Sequence, residues 1–383
     1  GCCTVPRPER PPHQRAAMIP LRYAILALLC AQNSLYTLLR RYSRGVLKET
    51  VSSAAVLLAS EALKFVIAAL LVGNDDAQEA EKSPAASARK GNFLKDKLQA
   101  VTNALSTGRP MAVPAIVYLI MNMLSFKAIE LVDATVFAMI AQLKVLSTAV
   151  STGIVLGRRL SKFQWRAIVL LTMAVVIITY QRGAAARCAA SGSKAATKEF
   201  NSAYIFGVGM VLLEISLSGL ISAYFEKYLK DGTASVWGRN LQLAFWSILV
   251  YSGIEVVQAI TDPEYRGVED FTQGWSLVTM MLVLLGGGGG LLVAFAIKYA
   301  DAVMKSMSTS FSLVVVVAAE MFFLGAAVDP VVCLSSGIAL MALHSYAEAP
   351  KLDQSCQTTE NSTGKAPVGS AVKVGGYEPV PLG

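Results

Sequence analysis

Apolar residues fall along the chain in long blocks, with no strand-like alternation. Ten blocks are long enough to cross a bilayer, whose core of about 30 Å takes roughly 20 mostly apolar residues as a helix. They lie near 20–40, 50–73, 111–131, 134–157, 163–182, 203–225, 239–260, 276–298, 303–325 and 329–347. The stretch from Ser276 to Ile297 carries no charge. Lipid offers the backbone no hydrogen-bond partners, so runs of this length read as helices. The pattern predicts an all-α polytopic membrane protein, with ten transmembrane helices in one domain over 19–347. The first block starts late for a signal peptide and nine follow it, so a cleaved leader is not expected.

The polar stretches between blocks are uneven. Residues 1–18 form a basic N-terminal tail, 74–110 a linker of mixed charge, 183–200 an Ala/Ser/Lys loop, and 348–383 a C-terminal tail whose composition predicts disorder. Within the linker, Phe93 to Leu105 has the pattern of an interfacial amphipathic helix. An even number of spans places both tails on one side. Arg7, Arg10, Arg15 and Arg22 precede the first block, which by the positive-inside rule puts that side in the cytosol. Arg158, Arg159, Lys162, Arg166, Lys227 and Lys230 then fall on the cytosolic side, and the acidic loop holding Asp262 and Glu264 on the other. Arg40, Arg41, Arg44 and Lys48 run against the rule.

Composition agrees. The chain is 54% hydrophobic and 16% charged, against about 45–50% and about 25% in soluble domains; mean hydropathy is +0.51. A soluble protein, a disordered chain and a disulfide scaffold are excluded. The net charge of 34 − 26 = +8 sits largely between the blocks, where it sets orientation and gives no nucleic-acid motif.

An internal similarity bears on function. Ala128-Ile129-Glu130-Leu131-Val132-Asp133-Ala134 parallels Ala296-Ile297-Lys298-Tyr299-Ala300-Asp301-Ala302, an offset of 301 − 133 = 168. At that offset Gly157 meets Gly325, each after an apolar helix. The second copy comes five spans later. Five is odd, so duplication would insert it upside down. Inverted repeats are a recurrent build of secondary transporters, with substrate held between the halves near mid-membrane.

Charges inside the blocks mark candidate sites, because they are costly in lipid. Glu61 and Lys64 are i,i+3 and can neutralise one another. Glu214 and Glu320 have no local partner, so each is protonated or faces a polar cavity. Lys144 lacks a carboxylate at i±3 or i±4, Lys305 has only Asp301 at i−4, in the turn before its apolar block, and the two are followed by Ser147-Thr148 and Ser308-Thr309. An unpaired buried ammonium needs an anion, and a substrate phosphate at the midplane is the natural one. Lys298, near a helix end, is a candidate entry-side helper. Tyr118 with Asn122, Ser218 with Gly219, and Asn240 with Gln242 could read a base or ribose, although singly such residues more often pack helices. Gly286 to Gly290 is either a bending point or a close-packing surface.

Soluble-enzyme chemistry has no carrier. His13 and His344 lie at opposite ends, no metal-ligand spacing or nucleophilic triad occurs, and there is no GxxxxGK[ST] loop. No cofactor or metal is expected, nor an ATP-driven pump. A polytopic membrane enzyme acting on nucleotide-linked sugars would want an acidic motif at a membrane face, and none is visible.

Several strings in this order resemble the nucleotide-sugar transporters of the Golgi and endoplasmic reticulum, the CMP-sialic acid / UDP-galactose / UDP-N-acetylglucosamine group of the drug/metabolite superfamily. They are Tyr36-Thr-Leu-Leu-Arg-Arg-Tyr-Ser-Arg44, Gln142-Leu-Lys144, Leu160-Ser-Lys-Phe-Gln-Trp165, Tyr224-Phe-Glu-Lys227, Ser235-Val-Trp-Gly-Arg-Asn-Leu-Gln242, Gly289-Gly-Leu-Leu-Val293 and Lys298-Tyr-Ala-Asp301. The resemblance implies ten helices in two inverted repeats of five. It implies antiport of a cytosolic nucleotide sugar against a nucleoside monophosphate. It carries over Lys144 and Lys305 as cations for phosphate and sugar, and Tyr118, Asn122, Ser218 and Asn240 as nucleoside-site positions. Phe137 stands where the family has Tyr, which keeps stacking and loses a hydroxyl. Ala244 and Val293 replace polar residues of the CMP-sialic acid branch, so a UDP-sugar is the first expectation. CMP-sialic acid or another phosphorylated metabolite is the alternative. A Golgi membrane location follows, with the endoplasmic reticulum as alternative. A homodimer or an association with a glycosyltransferase is compatible with the resemblance.

Overall fold

The computed structural model describes residues 12–49, 51, 53–73, 93–132, 134–158, 160–189, 202–231, 234–261, 274–323 and 329–362. The expectations for the first tail residues, most of the linker, Asp133, Arg159, the acidic 262–270 loop, Gly325 and the end of the chain lie outside them. Among the described residues every regular element is helical. The helices are α1 (Pro12–Gly45), α2 (Ser53–Leu71), α3 (Phe93–Ser106), α4 (Ala112–Leu131), α5 (Ala134–Ala141), α6 (Lys144–Leu156), α7 (Lys162–Ala189), α8 (Ser202–Lys230), α9 (Val236–Thr261), α10 (Leu277–Tyr299), α11 (Ala302–Phe323) and α12 (Pro330–Ser362).

Among the described residues, seven segments are long and apolar enough to cross a membrane: Arg109–Leu131, Val136–Leu156, Lys162–Ala184, Ser202–Lys230, Leu277–Tyr299, Ala302–Phe322 and Pro330–Ala349. The other three expected spans lie in α1, α2 and α9. This is an all-helical, multi-pass membrane protein. Large apolar side chains such as Ile154, Phe206, Leu284 and Phe322 point outward, as suits a solvent of lipid tails. The interior holds Leu29, Val145, Ile168, Leu171, Met307 and Tyr346, drawn from α1, α6, α7, α11 and α12.

Helix pairing has an exchange regularity. α6 packs on α8 as α11 packs on α1, α4 on α8 as α10 on α1, and α10 on α2 as α4 on α9. The pairs α7–α12, α2–α9 and α6–α11 complete the most extensive pairings. Exchanging α1, α2, α4, α6 and α7 with α8, α9, α10, α11 and α12 in that order maps these pairings onto themselves.

Local details sharpen the sequence expectations. The 134–157 span is two helices, because the chain turns at Gln142 and Leu143. Their N–H groups donate to carbonyls three residues back, Met139 and Ile140, at 3.2 and 2.9 Å. Helix α6 ends at Gly157, whose φ of +63° is the left-handed conformation that favours glycine at a helix C-terminus. Helix α10 is unbroken through Gly286 to Gly290. All of those glycines but Gly288 serve close packing: a Cβ on Gly287 would lie 2.9 Å from the Ser60 carbonyl oxygen, and one on Gly286 2.7 Å from Ser60 Oγ. Gln32 Nε2 donates to the Leu285 carbonyl at 2.8 Å, tying α1 to the same stretch. The bending point is therefore not seen. Helix α12 continues to Ser362, into the tail for which composition predicted disorder, because the apolar block and the polar residues after it form one helix.

The amphipathic segment is helical as α3. Its Ala100, Val101, Ala104 and Leu105 pack against Ala68, Val72, Leu241 and Trp237. Lys97 Nζ donates to the Leu70 and Val72 carbonyls, both at 2.8 Å, capping the end of α2.

Candidate functional site

Helix direction separates two ends of the bundle. Arg22 near the start of α1 marks one end, and Arg40 near the end of α1 marks the other. The Arg22 end is closed by charge. Asp301, in the turn between α10 and α11, is buried and accepts from Arg158 Nη1 at 2.9 Å, with Arg22 at 3.8 Å. Its Oδ1 accepts the Met304 N–H at 2.7 Å, which caps α11. Burial by itself would push this carboxyl up; Arg158, with the Met304 N–H and Arg22, outweighs it and holds Asp301 below the usual carboxylate range. From the end of α8, Glu226 accepts the Ala302 N–H at 2.9 Å and Lys230 Nζ at 2.6 Å, and Lys230 also donates to the Ala300 carbonyl at 2.8 Å. One turn thus joins α1, the α6–α7 connection, α8 and α11.

The opposite end opens into a cavity of about 420 Å³. Its mouth is lined by Arg40, Ser43, Glu49 and Thr279, and its inner part by Asn122, Phe137, Ala141, Lys144 and Glu214. Glu49 is held in place: Thr279 Oγ1 donates at 2.8 Å, Ser43 Oγ at 2.6 Å, and Ser276 Oγ also donates to it. Lys144 is the first residue of α6, directly after the break, so its ammonium and the positive end of a half-helix share the inner part of the cavity. Among the described residues neither Lys144 nor Lys305 makes a side-chain hydrogen bond or ion pair, and each lies within electrostatic reach of the other. Helices α6 and α11 touch beside them, with Thr148 Oγ1 and Ser306 Oγ 3.2 Å apart.

The structure brings together three of the expected residues at the cavity, Lys144, Asn122 and Phe137. Asn122 donates to Tyr251 Oη at 2.8 Å. Lys305 does not line the cavity. It sits in the first turn of α11, its N–H bonded to the Asp301 carbonyl at 3.0 Å. That is one turn in from the closed end, not at the middle of its helix, because α11 starts only at Ala302. Lys298 is in the last turn of α10 at the same closed end. Tyr118, one turn before Asn122, packs with Met111, Ala115 and Ile297. Ser218 is buried beside Gly219, where a Cβ would lie 2.7 Å from the backbone of Ser147. Asn240 is buried, its Nδ2 donating to the Val236 carbonyl at 2.9 Å while Oδ1 has no partner.

The other embedded charges resolve differently. Lys64 and Glu61 pair at 2.6 Å. Glu320, which has no partner within its own helix, is bound by Arg182 of α7 and by Arg41 of α1, the latter at 2.5 Å. So Arg40 and Arg41, exceptions to the charge rule, have work at the open end: one lines the cavity and one neutralises Glu320. Residue-by-residue reading missed Tyr36, Arg40, Glu49 and Thr279 as cavity residues. Tyr36 was visible only as a member of the Tyr36–Arg44 string, Arg40 there and as an exception to the charge rule, and Glu214 only as an acid inside a span.

Known proteins agree on the family. Residues 17–347 match the family described as nucleotide-sugar transporter. The UDP-N-acetylglucosamine/UDP-N-acetylgalactosamine transporter nstp-4 of Caenorhabditis elegans is 30% identical over 86% of this chain and 94% of its own. The UDP-galactose translocator of Bos taurus is 31% identical over 86% and 79%, and the UDP-N-acetylglucosamine transporter of Homo sapiens 31% over 79% and 88%. A solved crystal structure superposes with a TM-score of 0.57 at 12% identity, covering 85% of this chain and 97% of that one, a likeness of fold alone. A cavity that ends on an unpaired ammonium and half-helix terminus, in a bundle closed at its other end, fits a carrier of anions, and the chain belongs to the nucleotide-sugar transporter family: it is a transporter, not an enzyme.

Proposed function

We propose that the protein is a UDP-sugar antiporter of the Golgi membrane, moving UDP-galactose or UDP-N-acetylglucosamine inward against a nucleoside monophosphate. Ten spans form two inverted repeats of five, with both tails in the cytosol. The exchange regularity of the helix pairing supports the repeat. The observation that carries the transport reading is the pair of lysines at the α6–α11 contact. Among the described residues neither ammonium makes a hydrogen bond or ion pair, and only Lys144 lines the open cavity. Lys144 meets the phosphates from the open end, and Lys305, behind it, becomes reachable when the Asp301 turn opens. Phe137 stacks and Asn122 hydrogen-bonds within the same cavity, while Tyr118, Ser218, Asn240 and Lys298 lie outside it and act when the helices move. The relatives' substrates, UDP-galactose and UDP-N-acetylhexosamines, support the choice of base and sugar. A second copy of the chain or a glycosyltransferase is the expected protein partner, with lipid around the bundle.

The test is reconstitution. Purified protein in liposomes loaded with UMP should take up UDP-galactose or UDP-N-acetylglucosamine faster than in empty liposomes. Uptake of CMP-sialic acid in preference to either would reassign the base.

A further inference from the structure

Glu214 stands apart from the other embedded carboxylates. Glu61, Glu226 and Glu320 are each bound to a cation, and Glu49 is held by three hydroxyls. Glu214 lines the cavity, and its Oε2 is buried with no hydrogen-bond partner among the described residues. It makes no ion pair with Lys144, although its charge reaches that lysine. Its helix cannot drift away, because α8 is pressed onto α6 where Gly219 meets the Ser147 backbone. A carboxylate fixed beside the phosphate-binding ammonium with an unused acceptor is placed to meet whatever is attached to the phosphates.

Charge and hydrogen-bond capacity say what that group is. An ionised carboxylate only accepts, so it suits a group rich in hydroxyl donors. In the cavity Lys144 and Glu214 offset one another, as do Arg40 and Glu49 at its mouth, and Lys305 behind the cavity adds one net positive charge. The two negative charges of a nucleoside diphosphate already exceed this. A carboxylate on the sugar would add a third, with no counter-charge, beside Glu214. Repulsion built against a competitor is a common source of selectivity. We propose that Glu214 is a sugar-reading residue that accepts hydrogen bonds from the hydroxyls of a neutral sugar and turns away nucleotide sugars whose sugar carries a carboxylate. The proposal rests on the UDP-sugar reading above.

Counterflow in UMP-loaded liposomes tests it, each rate being divided by the same preparation's UMP self-exchange. For the unaltered protein, UDP-glucuronate should compete with labelled UDP-galactose at least about tenfold less well than UDP-galactose itself, a difference of about 1.4 kcal/mol. Glu214→Gln keeps the shape and removes the charge. It should raise the ratio of UDP-glucuronate to UDP-galactose uptake by about tenfold, and Glu214→Ala should raise it too while lowering UDP-galactose uptake further. Equal competition by the two sugars in the unaltered protein, or an unchanged ratio in both variants, overturns the proposal. Absence of UMP self-exchange in the unaltered protein removes the function reading and this proposal with it. UMP exchange with an unchanged sugar ratio removes the proposal alone.

Discussion

At the scale of residues, the two lysines carry the sharpest expectation. Losing a contact to a charged group costs about 1.5–3 kcal/mol, which is roughly 10- to 100-fold in affinity. Lys144→Ala and Lys305→Ala should each weaken uptake of UDP-sugar by that factor in a liposome assay. The melting temperature of the ligand-free protein should fall little, since among the described residues neither ammonium has a hydrogen bond or ion pair to lose. Normal uptake with unchanged apparent affinity in both variants would place the site elsewhere. Glu320→Gln should behave in the opposite way. It leaves Arg41 and Arg182 without their carboxylate, so the melting temperature drops while sugar preference is kept. Both lysines were legible in the chain as charges in or at the edge of apolar blocks, Lys144 with no carboxylate at helical spacing and Lys305 with only Asp301, in the turn before its helix. The partners of Glu320 were not, because they come from helices far away in sequence.

At the scale of elements, the glycine run and the Asp301 turn give separate tests. Gly287→Ala drives a methyl against the Ser60 carbonyl, whereas Gly288 faces open space. Overpacking of this kind costs about 1–3 kcal/mol. In detergent, Gly287→Ala should therefore melt several degrees below Gly288→Ala, and equal melting would mean that α10 and α2 are not in contact there. Asp301→Asn should cost about 1–3 kcal/mol. That is less than for a fully buried pair, since Arg158 and Arg22 are each 37% exposed. Because the carboxyl sits below its ordinary value when folded, its contribution is fully present above the unfolded value of about 3.9 and is lost only as pH falls through the lower folded one. The stability gap between the unaltered protein and Asp301→Asn should then be flat from about pH 5 to 8. A gap that narrows between pH 7 and 5 would show that Asp301 is not held by cations.

At the scale of the whole molecule, the proposed topology, with an even span count and cytosolic tails, expects Asn361 on the cytosolic side. The Asn361-Ser-Thr sequon should stay unglycosylated in cells, and a glycan there would reverse the orientation. Closure at the Arg22 end with an open cavity at the Arg40 end describes a carrier with one gate shut. Alternation between gates needs no nucleotide hydrolysis, so UMP on the inside should accelerate uptake with no added ATP. Equal rates into loaded and empty liposomes would argue for uniport.

Much was settled by the chain itself. Long apolar blocks allow a single solution in lipid, helices, because each backbone group must be satisfied within its own segment. Embedded charges mark sites for the same reason: their cost is set by the solvent and not by the fold. The Asp301 motif, the unpaired lysines and the family strings were all readable on that basis. Tertiary structure alone decided which polar groups meet. Glu49 lies 227 residues from Ser276, whose hydroxyl it accepts, and Arg158 is 143 residues from Asp301. Periodicity could not foretell that the glycine run is a packing face, that Lys305 sits at the closed end, or that Glu214 shares a cavity with Lys144. Helix periodicity orders residues around one axis, and the approach of two axes is set by side-chain shape along both.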